Sequence, residues 1–112
     1  MSDLAQRNCK PCRSGVVPLD ASEIVPLKAE LDPGWQVVDD HHLHRVYKFR
    51  NFAEALAFAN RVGEMAEEQK HHPDLYVAWG KVGIEIWTHK IKGLHEADFV
   101  FAARCDALYP KT

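Results

Sequence analysis

Residues 67–98 have the sequence EEQKHHPDLYVAWGKVGIEIWTHKIKGLHEAD, and the rest of the chain is organised around them. The stretch begins in a helical pattern that must end near His71, because Pro73 pushes the preceding His72 out of the α region. Two strand-like runs follow, and the second ends at His89. Adjacent imidazoles, a third one close by and a carboxylate one turn upstream predict a proton-handling or metal-binding site.

Two β-hairpins separated by a long helix are predicted from the hydrophobic periodicity on either side of this point. The predicted elements are a helix at 20–31, strands at 35–38 and 43–49, a helix at 51–71, strands at 75–79 and 82–89, and a helix at 95–109. The order α-β-β-α-β-β-α predicts an α+β fold with a four-stranded antiparallel sheet and helices packed on one face.

Single residues refine this prediction at three points. Asp20, followed by Glu23, predicts a capping box at the first helix, and Asn51 predicts the cap of the long helix. Pro26 is expected to kink the first helix, since a proline inside a helix removes one hydrogen bond. Arg45 falls on the mainly apolar face of the second strand, so we expect its guanidinium to reach water at the rim.

The composition describes one ordinary globular domain. The chain has 112 residues, 46% hydrophobic and 27% charged, with a formal net charge of −2. Residues 1–19 are predicted to be a loosely ordered leader and residues 20–112 a single domain. Neither a nucleic-acid partner nor a membrane span is indicated. No apolar signal segment is recognised near the start, so a cytoplasmic location is expected.

Three cysteines add one weak motif. Cys9 and Cys12 form a lone C-x-x-C, which is compatible with a metal or redox role or with free thiols in a mobile leader. Cys105 lies alone in the last predicted helix. A single C-x-x-C with no second pair, outside a βαβ unit, favours free thiols in the leader.

The residues alone leave the chemistry of the central stretch open. Glu67 and His71 are four apart, so their side chains can meet on a helix and favour acid–base work. Histidines at a helix end also stabilise the helix dipole without any further role. A catalytic zinc site would need His71, His72 and His89 to converge, and adjacent side chains diverge.

The aromatic residues and a second histidine cluster also have purely structural explanations. Trp87 shares a strand face with His89, so it could flank a flat heterocycle or simply pack. Trp79 is better explained by core or interface packing. The cluster His41, His42 and His44 is better explained by a polar turn and an exposed strand face than by function.

Taken together, these residues resemble the signature of a known family. The pattern Glu67-x3-His71-His72-Pro73-x5-Trp79-x9-His89-x8-Asp98 is similar to that of the pterin-4a-carbinolamine dehydratases, also called 4a-hydroxytetrahydrobiopterin dehydratases. Further matches are Gly34-Trp35, Arg45-x-Tyr47-x-Phe49-x-x-Phe52, Lys81-Val82, Thr88-His89 and Gly93-Leu94. The resemblance covers about residues 20 to 109, and the leader resembles bacterial members associated with phenylalanine hydroxylase.

The resemblance implies a hydro-lyase that removes water from a 4a-hydroxytetrahydropterin to give the quinonoid dihydropterin, with no metal and no cofactor. It implies His71 and His89 as the acid–base pair, with Glu67 orienting His71. Asp98 would cap the last helix and hold the His89 side chain in position without contacting the substrate. The substrate-binding residues implied are His72, Pro73, Leu75, Trp87 and Thr88.

The resemblance also implies partners. Family members form homo-dimers or homo-tetramers in which sheets join edge to edge, and a functional link to phenylalanine hydroxylase follows from the substrate. The alternative is a non-catalytic dimerisation or regulatory binding module on the same scaffold. Three positions depart from the family pattern: Leu75 replaces a pterin-side Trp, His95 replaces a Ser or Thr cap, and Lys70 replaces an acidic or amide residue.

Overall fold

The computed structural model describes residues 17–110. Its helices are α1 (Ala21–Ala29), α2 (Phe52–Gln69) and α3 (Glu96–Leu108), and a short 3-10 helix spans His89–Ile91. Its strands are β1 (Gln36–Val38), β2 (His42–Lys48), β3 (Asp74–Ala78) and β4 (Lys81–Ile86). The predicted α+β order α-β-β-α-β-β-α is confirmed.

The four strands form one antiparallel sheet in the order β1-β2-β4-β3. The helices cover one face, where Leu43, Ile84 and Ile86 are fully buried. The other face lacks this cover, and Val46 and Tyr76 are 39% and 56% exposed there. Burying a single face explains the period-two alternation from which the strands were predicted.

Local sequence signals set the helix starts. The Asp20 carboxylate accepts the Glu23 backbone N–H at 2.9 Å, and the Glu23 carboxylate accepts the Asp20 N–H at 3.0 Å. The side chain of Asn51 accepts the Glu54 N–H at 2.8 Å. Both predicted caps are therefore present, and Pro26 lies within α1 without ending it.

The expectation that Arg45 reaches water was wrong. Its Nη1 lies 2.9 Å from a carboxylate oxygen of Asp106 and 3.1 Å from one of Asp32. The indole N–H of Trp35 and the hydroxyl of Tyr47 also donate to Asp106. Burial raises the pKa of both Asp106 and Tyr47. Because α3 presents Asp106 beneath β2, the guanidinium has a better partner inside than in solvent.

The chain just before α1 is tied to the loop that follows β4. The Leu19 N–H donates to the Leu94 carbonyl at 2.9 Å, and a Cβ on Gly93 would lie 2.7 Å from the Cβ of Pro18. Gly93 is therefore needed for this close approach. Cys9 and Cys12 fall outside the described residues. Within residues 17–110, no helix has the length and apolarity needed to cross a bilayer.

Candidate active site

The bend after α2 determines where the two adjacent histidines go. Lys70 adopts a left-handed conformation (φ 55°, ψ 40°), and its N–H donates to the Ala66 carbonyl. The N–H of His71 bonds to the same carbonyl at 3.2 Å. Since the helix has ended, His71 and His72 leave it in different directions.

His71 turns inward and meets Asp98 on α3. The imidazole Nε2 lies 2.5 Å from Oδ1 of Asp98, and the two side chains are 14% and 0% exposed. Oδ2 of Asp98 accepts the Thr88 hydroxyl and the His95 backbone N–H, each at 2.8 Å. A carboxylate with three donors is satisfied in its charged form, although it is buried. Asp98 thus also caps α3, as expected.

His72 turns outward and meets Glu67. Its Nε2 lies 2.5 Å from Oε2 of Glu67, and both side chains are mostly exposed. The prediction that Glu67 orients His71 was therefore wrong. The four-residue spacing brings two side chains together only while the helix continues, and the left-handed Lys70 interrupts it before His71.

His89 begins the 3-10 helix rather than ending a strand. β4 stops at Ile86, and Thr88 pairs with Gly93 across the loop. This geometry directs Thr88, not His89, towards Asp98, so the predicted support of His89 by Asp98 was wrong. The His89 imidazole instead lies against the Trp87 indole, with ring centroids 4.5 Å apart.

A small cleft of about 180 Å³ brings most of the predicted site residues together. It is lined by Lys70, His71, His72, Trp87, Thr88, His89 and Lys90. Pro73 and Leu75 are outside this set, and Leu75 packs against the core instead. Leu75 pairs with Ile84 of β4, which places its side chain on the helix-covered face.

Two further features of residues 17–110 bear on alternatives. No group of three or more His, Cys, Asp or Glu side chains in this range could hold a metal ion. A larger cleft of about 440 Å³, lined by Phe49, Phe58 and Tyr109 among others, lies at the opposite end of the sheet. No histidine lines it, whereas three histidines line the smaller cleft.

Two histidines near the site were not among the residues predicted to form it. The imidazoles of His41 and His42 lie 5.3 Å and 5.7 Å from the Trp87 indole, centroid to centroid. The register that pairs Leu43 with Ile86 brings His42 beside Trp87. The register of β2 and β4 therefore indicates that His42 lies beside Trp87, whereas the two adjacent histidines in the sequence do not indicate it by themselves.

The family comparison decides what kind of protein carries this site. The model of the family described as pterin 4 alpha carbinolamine dehydratase matches residues 17–108. The chain belongs to this family. A provisionally named pterin-4-alpha-carbinolamine dehydratase of Rubrobacter xylanophilus is 58% identical over 108 residues, which are 96% of this chain and 100% of the relative. One of Alkaliphilus metalliredigens is 50% identical over 95% of this chain and 96% of its own length.

Solved structures of similar proteins agree with this family. A transcriptional coactivator/pterin dehydratase from Brucella melitensis superposes with a TM-score of 0.77 and 32% identity, covering 83% of this chain and 99% of its own. A pterin dehydratase-like protein identified as a RuBisCO assembly factor in the alpha-carboxysome gives a TM-score of 0.60 and 26% identity. That second match covers 70% of this chain and 93% of the other.

Proposed function

We propose that the protein is a 4a-hydroxytetrahydropterin dehydratase, which releases water and forms the quinonoid dihydropterin. The observation that carries the proposal is the cleft in which His71, held by the buried Asp98, lies together with His72 and His89. Membership in the pterin carbinolamine dehydratase family supports the substrate class. In the reaction, N5 loses its proton, a C4a=N5 double bond forms and the protonated hydroxyl leaves C4a as water.

His71 is the proposed base. An ionised carboxylate only accepts hydrogen bonds, so the Nε2 beside Asp98 carries the proton and Nδ1 keeps its lone pair. Nδ1 then takes the N5 proton. The imidazolium that forms is stabilised by the buried charge of Asp98.

His89 is the proposed acid, which protonates the departing hydroxyl. Imidazole is the side chain most often used as a general acid or base. His72 and the Trp87 indole are proposed to bind the pterin. The Thr88 hydroxyl donates to Asp98, so its proposed part is to hold that carboxylate rather than to bind substrate.

The size of the cleft fits a small substrate. Pockets for drug-sized ligands are roughly 300–1,000 Å³, whereas this one is about 180 Å³. It therefore suits the bicyclic ring of a pterin, with the ring substituent outside. Because aromatic amino acid hydroxylation produces the carbinolamine, we place the protein in tetrahydropterin recycling, functionally linked to a phenylalanine hydroxylase.

Stopped-flow measurement of carbinolamine dehydration tests this function. We expect His71→Ala and His89→Ala each to lower kcat by ~10²-fold or more, and His72→Ala mainly to raise KM. A chelator should leave the rate unchanged. Wild-type rates in the His71→Ala, His89→Ala double variant would refute the proposal. Activity lost with a chelator and restored by zinc would favour the metal alternative.

A non-catalytic role is the second candidate, because the two structural relatives are described as a coactivator/pterin dehydratase and an assembly factor. Such a module needs no acid–base pair. A pull-down with a phenylalanine hydroxylase, made beside the rate assay on one preparation, separates the two. Binding with no dehydration would favour the module.

We further propose a homo-dimer or homo-tetramer that joins along sheet edges. β3 is an edge strand with open backbone groups, and Val77 and the following Trp79 are 37% and 72% exposed. Trp79 is thus not a core residue, and interface packing remains its predicted role. Light scattering tests this assembly, and Val77→Lys should lower the mass if β3 pairs.

A further inference from the structure

The β1–β2 turn packs against Trp87, which lines the active-site cleft. The Nδ1 atoms of His41 and His42 lie 3.1 Å apart, so one imidazole donates a hydrogen bond to the other. Both rings contact the Trp87 indole, whose other neighbour is the imidazole of His89. Trp87 is therefore enclosed by three imidazoles, only one of which belongs to the cleft lining.

The turn that presents these histidines is a tight hairpin turn with two central residues. Asp39 and Asp40 have φ values of 53° and 54°, in the left-handed region that favours glycine. The His41 N–H donates to the Val38 carbonyl at 2.9 Å and closes the turn. Turns in which both central residues have positive φ are a common connection between antiparallel strands, because their twist matches that of the strands. The same conformation directs the rings of His41 and His42 towards β4.

The three histidines that line the cleft differ in the partners that fix their side chains. His71 has Asp98 and His72 has Glu67 as a carboxylate partner. Among residues 17–110, the His89 side chain has the ring contact with Trp87 and no hydrogen bond or ion pair. The orientation of His89 therefore depends on the indole, and the position of the indole depends on what lies behind it.

We propose that His41 and His42 are positioning residues that hold Trp87, and through it His89, in the geometry the reaction needs. This inference rests on the proposed dehydratase function. Their mutual hydrogen bond keeps the two rings together, and Glu85 on β4 lies 3.9 Å from Nε2 of His42. Neither histidine lines the cleft, so both act indirectly, through the indole that is proposed to bind the pterin and through His89.

The kinetic test uses a matched control on the same strand. His41→Ala and His42→Ala should each lower kcat about 10-fold, because a slightly misplaced acid slows the chemical step, and should raise KM less than Trp87→Ala does, because the indole is displaced but not removed. His44→Ala should have no effect, since His44 has no ring contact with Trp87. His41→Phe and His42→Phe should keep most activity, because they retain the ring packing.

A double-mutant cycle separates this role from a general loss of stability. In a Trp87→Ala background, His41→Ala and His42→Ala should have no further effect on kcat, since the indole they hold is gone. Fully additive losses in kcat would overturn the inference. Melting temperatures are measured for every variant, and an alanine variant that unfolds is replaced by asparagine, which suits a turn but lacks the ring.

A second readout does not depend on activity. In NMR spectra of the full chain, the ring protons of His89 should carry a ring-current shift from Trp87. His41→Ala and His42→Ala should move that shift towards its value in Trp87→Ala, while His44→Ala leaves it in place. An unchanged shift in both alanine variants overturns the inference. If the wild type fails to dehydrate the carbinolamine, the proposed function fails, and this measurement still decides the positioning role.

Discussion

His71 and His72 are neighbours in the chain, yet their imidazoles bind carboxylates on different helices. His71 reaches the buried Asp98 of α3, and His72 reaches the exposed Glu67 of α2. The left-handed Lys70 ends α2 before both histidines, so neither continues the helical pattern. One imidazole is thereby fixed in a protected place while the other stays at the surface, which is the division expected between a catalytic and a binding residue.

The two carboxylates should differ sharply when each is replaced by its amide. Asp98→Asn removes the charge that stabilises the His71 imidazolium, so we expect kcat to fall by ~10²–10³-fold. Glu67→Gln alters an exposed pair and should change kcat less than about 3-fold. Stopped-flow rates and circular dichroism of both variants check this. Equal effects of the two amides would contradict the assignment.

The Thr88 hydroxyl should stabilise the fold through Asp98. Thr88→Val keeps the shape of the side chain but removes one donor from a buried carboxylate, so the free energy of unfolding should fall by ~1–3 kcal/mol. Thr88→Ser keeps the donor and should cost less than ~1 kcal/mol. Urea denaturation measures both, and a neutral valine variant would show that Asp98 does not need this bond.

Lys70 should be replaceable by glycine with a gain in stability. Glycine adopts the left-handed conformation without a Cβ penalty, so Lys70→Gly should raise the free energy of unfolding by ~0.5–1 kcal/mol. Glu64→Gly, at an exposed position inside α2, should lower it by ~0.5–1 kcal/mol. The opposite signs in denaturant titrations are the test. A loss in both variants would count against the helix end described.

Tyr47 should make the protein less stable in alkali. Burial raises the pKa of Tyr47 above its usual value of about 10, so the unfolded chain loses this proton at a pH where the folded chain keeps it. The stability linked to the Tyr47 proton is therefore fully present below pH ~10. Above pH ~10 the free energy of unfolding falls, by up to ~1.4 kcal/mol per pH unit.

The check for Tyr47 is a difference between variants. In urea titrations above pH ~10, the stability advantage of the wild type over Tyr47→Phe should shrink with rising pH, since phenylalanine has no proton to lose. Tyr76→Phe, at a residue 56% exposed, should change its difference from the wild type much less with pH, because the pKa of Tyr76 is raised mainly by the charge of Glu85 across solvent. A constant difference for Tyr47→Phe would refute the assignment.

The sequence predicted well what depends on neighbours in the chain. Asp20 and Asn51 cap their helices because each bonds to a backbone group three residues away. Strand alternation gave the antiparallel order because one face of the sheet is buried. The antiparallel order indicated that His89 returns to the end of the long helix beside His71 and His72, and the family resemblance assigned these three to one site.

The sequence could not give contacts that depend on a single backbone angle or on a distant partner. Pairing Glu67 with His71 assumed that the helix continued through Lys70. Supporting His89 with Asp98 assumed that β4 continued to His89. The partner of Arg45 is Asp106, 61 residues further along, and no local rule predicts such a pair.

The Asp98 carboxylate comes from the last helix, and this affects when the site is completed during synthesis. A growing chain presents His71 and Thr88 before the residue that joins them has been made. Chains fold from the amino-terminal end as they emerge, so the sheet and α2 can associate while the histidine still lacks its carboxylate. Completion of the proposed proton-transfer site thus waits for α3, and a chain interrupted before α3 would lack the carboxylate that holds His71.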